Sequence, residues 1–124
     1  MNVLEPLLPV LDAQVTAAQL RVASLQAREK ELRALIEGLR NGRHTALPST
    51  DLARQTGADL KWHRWIDQRI IDLGTELSKV RAAQIEATDH LRQVFGRQQG
   101  LQYVLQTQRQ TDRQVRKRRD DYMS

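Results

Sequence analysis

Apolar side chains recur along the first third of the chain at alternating steps of four and three residues. The positions are Leu4, Leu8, Leu11, Val15, Ala18, Val22, Leu25, Glu29, Leu32, Ile36 and Leu39. This spacing keeps one stripe of a helix turned toward a partner helix, as in the seam of a coiled coil. Pro6 and Pro9 are tolerated only near a helix start. Gly42 can adopt the left-handed turn that ends a helix, so the pattern predicts a first helix over about residues 6–41.

A second run with the same spacing follows in the other half of the chain. The positions are Ile66, Ile70, Leu73, Leu77, Val80, Gln84, Ala87, Leu91, Val94, Gln98, Leu101 and Leu105. Glu29 in the first run and Gln84 and Gln98 in the second are the only polar members. The pattern predicts a connection over residues 42–48 and a second helix over about residues 50–118.

Two helices joined by so short a connection must turn back on each other. We therefore predict an all-α fold, a two-helix antiparallel coiled-coil hairpin in one domain over residues 1–124, with a longer second helix that overhangs the first. Pairing outward from the turn sets Leu8 opposite residues near 83 and leaves residues 84–118 without a partner in the chain.

The predicted overhang still carries an apolar seam. Its members are Leu91, Val94, Phe95, Leu101 and Leu105. Each such side chain gains about 1.5–3 kcal/mol when it is fully buried. We therefore expect another protein, or a second copy in a homodimer through the 84–118 overhang, to cover it. Gly96 and Gly100 lie inside this stretch and indicate either a tolerated flaw or local break in the helix, or a close-packing site or hinge.

The positive charge of the chain is concentrated at one end. Residues 91–119 hold eight basic groups and one acid, a balance of +7, whereas the whole chain carries +5. The end of the second helix contains Arg109, Arg113, Arg116, Lys117, Arg118 and Arg119. These residues are either a solvated helix end, a docking site for an acidic protein surface, or a phosphate-binding site. Nucleic acid is the least favoured partner because aromatic side chains that could stack on bases are scarce nearby.

Trp62, Trp65 and Arg69 share one flank of the second helix, beside the seam, at steps of three and four. The two tryptophans either pack beneath the connection, against Leu47 and Leu52, or form an exposed aromatic patch near the turn. Aromatic side chains of that kind dominate the binding energy of many protein interfaces.

The search for catalytic chemistry finds no motif. The 124 residues include no Cys, no phosphate-binding glycine loop and no His-Glu-x-x-His, and His44, His63 and His90 lie in separate stretches. We expect no enzyme activity, no metal and no cofactor. No apolar run reaches the roughly 20 residues that span a bilayer, and residues 1–15 contain no basic residue of a secretion signal. We therefore expect a cytoplasmic protein without membrane insertion.

One stretch of the predicted second helix resembles a known protein family. The stretch Trp62-His63-Arg64-Trp65-Ile66-Asp67-Gln68-Arg69-Ile70, followed by Leu73, Leu77, Arg81, Leu91 and Phe95-Gly96-Arg97, is similar to the FliJ family of flagellar export proteins. The related stalk proteins of type III secretion look similar. As architecture, the resemblance covers most of residues 5–118. It implies an antiparallel coiled coil similar to the γ subunit of rotary ATPases. Its joined ends enter a hexameric export ATPase, and its turn region contacts the export-gate membrane protein or export chaperones.

Carried onto this chain, the resemblance assigns two surfaces. The residues that would face the ATPase ring are Arg109, Arg113, Arg116, Lys117 and Arg118. Trp62, Trp65 and Arg69 would contact the gate or a chaperone. The sequence thus predicts a non-enzymatic stalk or adaptor that couples an export ATPase ring to the export gate. The alternatives are a basic coiled-coil arm that binds nucleic acid and a purely structural, self-associating coiled coil.

Overall fold

Two long helices make up almost all of the structure, a computed structural model that describes residues 3–44 and 57–123. Helix α1 covers Leu7–His44, with 38 residues, and helix α2 covers Ala58–Met123, with 66 residues. The described ranges contain no strand. The predicted all-α hairpin with a longer second helix is confirmed.

Helix α1 extends beyond its predicted end. Residues 42–44 are helical, so the predicted stop at Gly42 is wrong. In this last turn the Arg43 guanidinium pairs with the Asp67 carboxylate of α2, which gives the end of α1 a partner across the hairpin. Residues 45–48 of the predicted connection, including Leu47, lie outside the described residues.

Helix α2 begins after Gly57, whose φ of 71° lies in the left-handed region. The Gly57 carbonyl accepts the first bond of the helix from the Lys61 N–H at 3.1 Å. A side chain with a Cβ is strained at this φ, so glycine fits the boundary. The prediction of a helix that runs through Gly57 is wrong, and its residues 50–56 lie outside the described part. At the other end α2 reaches Met123 rather than residue 118.

The chain divides into two compact units. The central unit is Ala23–Glu86, and the terminal unit combines Met1–Val22 with Ala87–Ser124. In the central unit the seams of the two helices form one core of buried and partly buried side chains. Its members are Leu32, Ile36, Leu39, Ile70, Leu73, Leu77 and Val80. The helices are antiparallel here, because Arg28 pairs with Glu76 while Arg43 pairs with Asp67.

The terminal unit has its own small core. Val15 and Ala18 of α1 pack against Val94 of α2, and Leu91 lies partly buried beside them. The fully buried positions continue the heptad spacing of both runs, so the same stripe that packs the central unit also packs this one.

Polar pairs mark the register farther toward the chain ends. The Gln98 amide donates to the Asp12 carboxylate at 2.7 Å. Arg109 Nη2 lies 3.4 Å from the Glu5 carboxylate, which sets the start of α1 beside residue 109 of α2.

The prediction that residues 84–118 lack a partner in the chain is therefore wrong. Val94 is 1% exposed and Leu105 is 3% exposed, and Leu8 lies with Leu105 around one pocket rather than opposite residue 83. Leu8 thus lies about three heptads farther along α2 than predicted, and the helices are separated by residues 45–57 rather than by 42–48. Among the described residues of the terminal unit, those beyond Arg109 extend past the pairing with α1.

The corrected pairing also changes the prediction for the self-association seam. Leu91, Val94, Leu101 and Leu105 are buried or partly buried within the chain, and among the predicted seam residues only Phe95 is exposed. The uncovered stripe on which the homodimer through residues 84–118 was predicted is thus absent from the described terminal unit.

Gly96 and Gly100 lie inside an unbroken helix. A Cβ built on either residue meets nothing within 4 Å. The structure fits the tolerated flaw rather than the local break, and neither glycine makes a close approach to α1.

Candidate protein-binding surfaces

Two of the three polar members of the apolar runs, Glu29 and Gln84, meet in the central unit. Gln84 Nε2 donates to the Glu29 carboxylate at 2.7 Å and to the Leu25 carbonyl at 3.4 Å. Arg33 also pairs with Glu29 at 2.7 Å, and Arg81 lies 3.8 Å away. Both oxygens of the Glu29 carboxylate and the Gln84 amide nitrogen have partners, so we interpret this layer as a register-setting contact rather than a reactive site.

The charge state of Glu29 follows from these contacts. The hydrogen bond from Gln84 lowers the pKa of Glu29 below its ordinary value of 4.5, the charges of Arg33 and Arg81 lower it further, and partial burial opposes them. Glu29 is thus held as a carboxylate, which suits an acceptor for the Gln84 amide and for two arginines.

The basic end of α2 comprises Arg109, Arg113, Arg116, Lys117, Arg118 and Arg119. Every residue from position 106 to 123 is exposed. Arg109 pairs with Glu5, whereas no carboxylate of the described residues lies within ion-pair distance of the other five. Because Arg109, Arg113, Arg116 and Lys117 are spaced by four, three and one, they share one helix face. The basic end therefore presents a cationic face to solvent, directly beside the start of α1.

Trp62, Trp65 and Arg69 come together on the central unit. The two indole rings stack with centroids 5.6 Å apart and an interplanar angle of 19°. Trp62 is 37% exposed and Trp65 is 54% exposed, and Arg69 is also exposed. Leu47 and Leu52, the predicted alternative packing partners, lie outside the described residues.

Trp65 and Arg69 form one wall of an open groove between α1 and α2, with a volume of about 310 Å³. We call it the tryptophan groove. Its lining residues are Ala34, Leu35, Gly38, Leu39, Trp65, Arg69 and Leu73. Sequence reasoning missed the α1 wall, because Ala34, Leu35 and Gly38 lie off the heptad stripe. The sequence feature that could have indicated this wall is that Ala34, Leu35 and Gly38, all beside the seam, are uncharged.

Over residues 3–44 and 57–123, no three His, Asp or Glu side chains converge to hold a metal ion. Neither α1 nor α2 includes a stretch long and apolar enough to cross a membrane.

No protein-family model matches this chain, and no curated protein or solved structure shows significant similarity to it. The resemblance to the FliJ family therefore depends on the residues quoted above and on the helical hairpin.

Proposed function

We propose that this chain is a non-enzymatic stalk or adaptor of a bacterial flagellar or type III protein-export apparatus. It works on the cytoplasmic side and couples a hexameric export ATPase to the export-gate membrane protein. The ring contact uses Arg109, Arg113, Arg116, Lys117 and Arg118, and the gate or chaperone contact uses Trp62, Trp65 and Arg69.

The main support is the arrangement of the terminal unit. A central stalk enters a ring with the start of its first helix beside the end of its second, and in this chain the Glu5–Arg109 pair places the start of α1 beside the first residue of the basic end of α2. The terminal unit also extends the pairing of α1 with α2 as far as residue 109, rather than residue 83 as the sequence predicted.

Charge gives the second support. The five cations from Arg113 to Arg119 have no carboxylate partner among the described residues, and they lie where the pairing with α1 has ended. Exposed cations attract an acidic partner over a distance of about 10 Å at 0.1 M salt, so they speed its association more than they tighten the final complex.

The test is the association rate with a purified hexameric export ATPase from the same organism. We expect Arg113→Glu, Arg116→Glu, Lys117→Glu and Arg118→Glu, made together, to slow association by about tenfold or more at low salt. The salt dependence of the rate should also become weaker. Helicity measured by circular dichroism should be retained, because the four residues are exposed.

A matched control reverses four exposed cations elsewhere, at Arg21, Lys30, Lys79 and Arg97. This variant has the same net charge as the first, so it separates the effect of position from the effect of total charge. The proposal fails if both variants associate equally fast, or if the wild-type chain does not bind the ring.

The same cations also support the nucleic-acid alternative, which the same variants can test. A chain that neutralises several phosphates loses affinity for duplex DNA by orders of magnitude between low and physiological salt. DNA binding that persists at physiological salt and is abolished by the four reversals would favour this alternative over the stalk.

A further inference from the structure

We infer that the tryptophan groove binds one amphipathic helix of a partner protein that carries carboxylates beside its apolar face. This inference deepens the proposed adaptor function, since it names the chemistry of the second partner. It depends only on the central unit.

The shape of the groove fits a helix. Its α1 wall contains the short side chains of Ala34 and Gly38, one turn apart, and a Cβ at Gly38 would meet nothing within 4 Å. Its α2 wall contains Trp65 and Arg69, also one turn apart. Two parallel rows with this spacing accept the ridge of a third helix whose side chains recur at every fourth position.

The groove is apolar and open to solvent. Arg69 is the only charged residue among those that line it. Trp65 and Leu35 are about half exposed, and Trp62 stacks on Trp65 at the edge. Large apolar side chains that are exposed together mark an interaction site, and tryptophans in such a site carry much of the binding energy.

The charges at the groove select an acidic occupant. Lys61 and Arg69 lie one turn to either side of Trp65, and neither side chain pairs with a carboxylate of the described residues. Of these two, Arg69 lines the groove itself, so a carboxylate on the occupant finds its ion-pair partner there.

The same charges disfavour a second copy of this chain. Two copies that met groove to groove would each bring an Arg69 guanidinium to the interface and no lining carboxylate to pair with it. Like charges at an interface oppose association. An acidic helix from another protein avoids this repulsion.

The experiment titrates the full chain with two fluorescein-labelled synthetic peptides and measures anisotropy. Both peptides form the same leucine-faced helix, but one carries Glu and the other Lys beside that face. We expect the Glu peptide to bind at least about tenfold more tightly than the Lys peptide. Trp65→Ala should weaken binding of the Glu peptide by about tenfold, and Arg69→Glu should reverse the preference between the peptides.

The controls are Ile71→Ala and Arg64→Glu, which change exposed α2 residues that do not line the groove. Neither should alter binding. Arg69→Glu changes an exposed side chain and keeps the inference testable if Trp65→Ala unfolds the chain.

Equal binding of the two peptides, binding of neither, or an unchanged preference in Arg69→Glu overturns the inference. A dimer in sedimentation equilibrium that Trp65→Ala converts to monomer also overturns it, since the groove then holds a second copy. None of these measurements uses the ATPase, so the inference and the ring contact can fail separately.

Discussion

Glu29 is the residue at which the stability of the hairpin should depend on pH. Its pKa in the fold is lowered below 4.5, chiefly by the hydrogen bond from Gln84. A carboxyl with a lowered folded-state pKa stabilises the fold above its unfolded-state pKa, and this stabilisation is lost as the pH falls through the folded-state value. We expect Glu29→Gln to lower the melting temperature at neutral pH, with a difference from wild type that shrinks below pH 4.5.

Thermal melts by circular dichroism at a series of pH values measure this difference. Glu37→Gln is the control, because Glu37 is exposed and has no ion-pair partner among the described residues. Its melting temperature should stay close to that of wild type throughout. A constant gap between Glu29→Gln and wild type down to acid pH contradicts the role of the Glu29 charge.

The glycines divide into two classes at the residue scale. Gly57 has a φ of 71°, so Gly57→Ala forces a Cβ into a left-handed conformation and should destabilise the fold by about 1–2 kcal/mol. Gly96 and Gly100 lie in the interior of α2 with open space around them, so Ala at either should stabilise by up to about 1 kcal/mol. Urea unfolding of the three single variants measures whether each substitution raises or lowers the free energy of unfolding. Stabilisation by Gly57→Ala would place the start of α2 elsewhere.

At the scale of the element, the heptad stripe separates the leucines of α1 into two groups. Leu32 is fully buried in the central core, whereas Leu20 is 66% exposed on the same helix. We expect Leu32→Ala to cost about 2–5 kcal/mol, since it leaves a cavity between the helices. Leu20→Ala should change stability by less than about 0.5 kcal/mol. Chemical denaturation of both variants checks the assignment, and equal losses would mean that the stripe is misplaced.

The helices also contain the contacts that choose one register among several. Apolar positions that recur every seven residues match again after each shift of one heptad. The Glu29–Gln84 and Asp12–Gln98 hydrogen bonds do not survive such a shift, because each joins one particular pair of residues. Polar contacts of this kind specify the alignment of a coiled coil.

At the scale of the whole molecule, the corrected register predicts the result of two truncations. Residues 111–123 are all exposed, so we expect a stop after Gln110 to change the melting temperature little. A stop after residue 88 removes Val94 and uncovers Val15 and Ala18, which form the terminal core with it. That chain should lose several kcal/mol of stability or associate through the exposed stripe.

Circular dichroism melts and sedimentation velocity of the two truncated chains test this prediction. If instead the chain that ends at residue 88 remains as stable as wild type and monomeric, α1 does not pair with residues 91–109. The sequence-based pairing of Leu8 with residues near 83 would then be restored.

The sequence alone determined which side chains face the partner helix. Alternating steps of three and four fix one helix face wherever the partner lies, so Leu32, Leu73 and Val94 were predictable as seam positions. The exposure of the basic end was also predictable, because the apolar run ends at Leu105.

Only the tertiary structure decided where along α2 the first helix pairs. Because a heptad pattern repeats, a pairing about three heptads away satisfied it equally well. That pairing left the seam from Leu91 to Leu105 uncovered, whereas in the structure α1 packs against it. The tryptophan groove was undetermined for the same reason, because its two walls belong to different helices. Leu35 and Gly38 come opposite Trp65 and Arg69 only when the register is fixed.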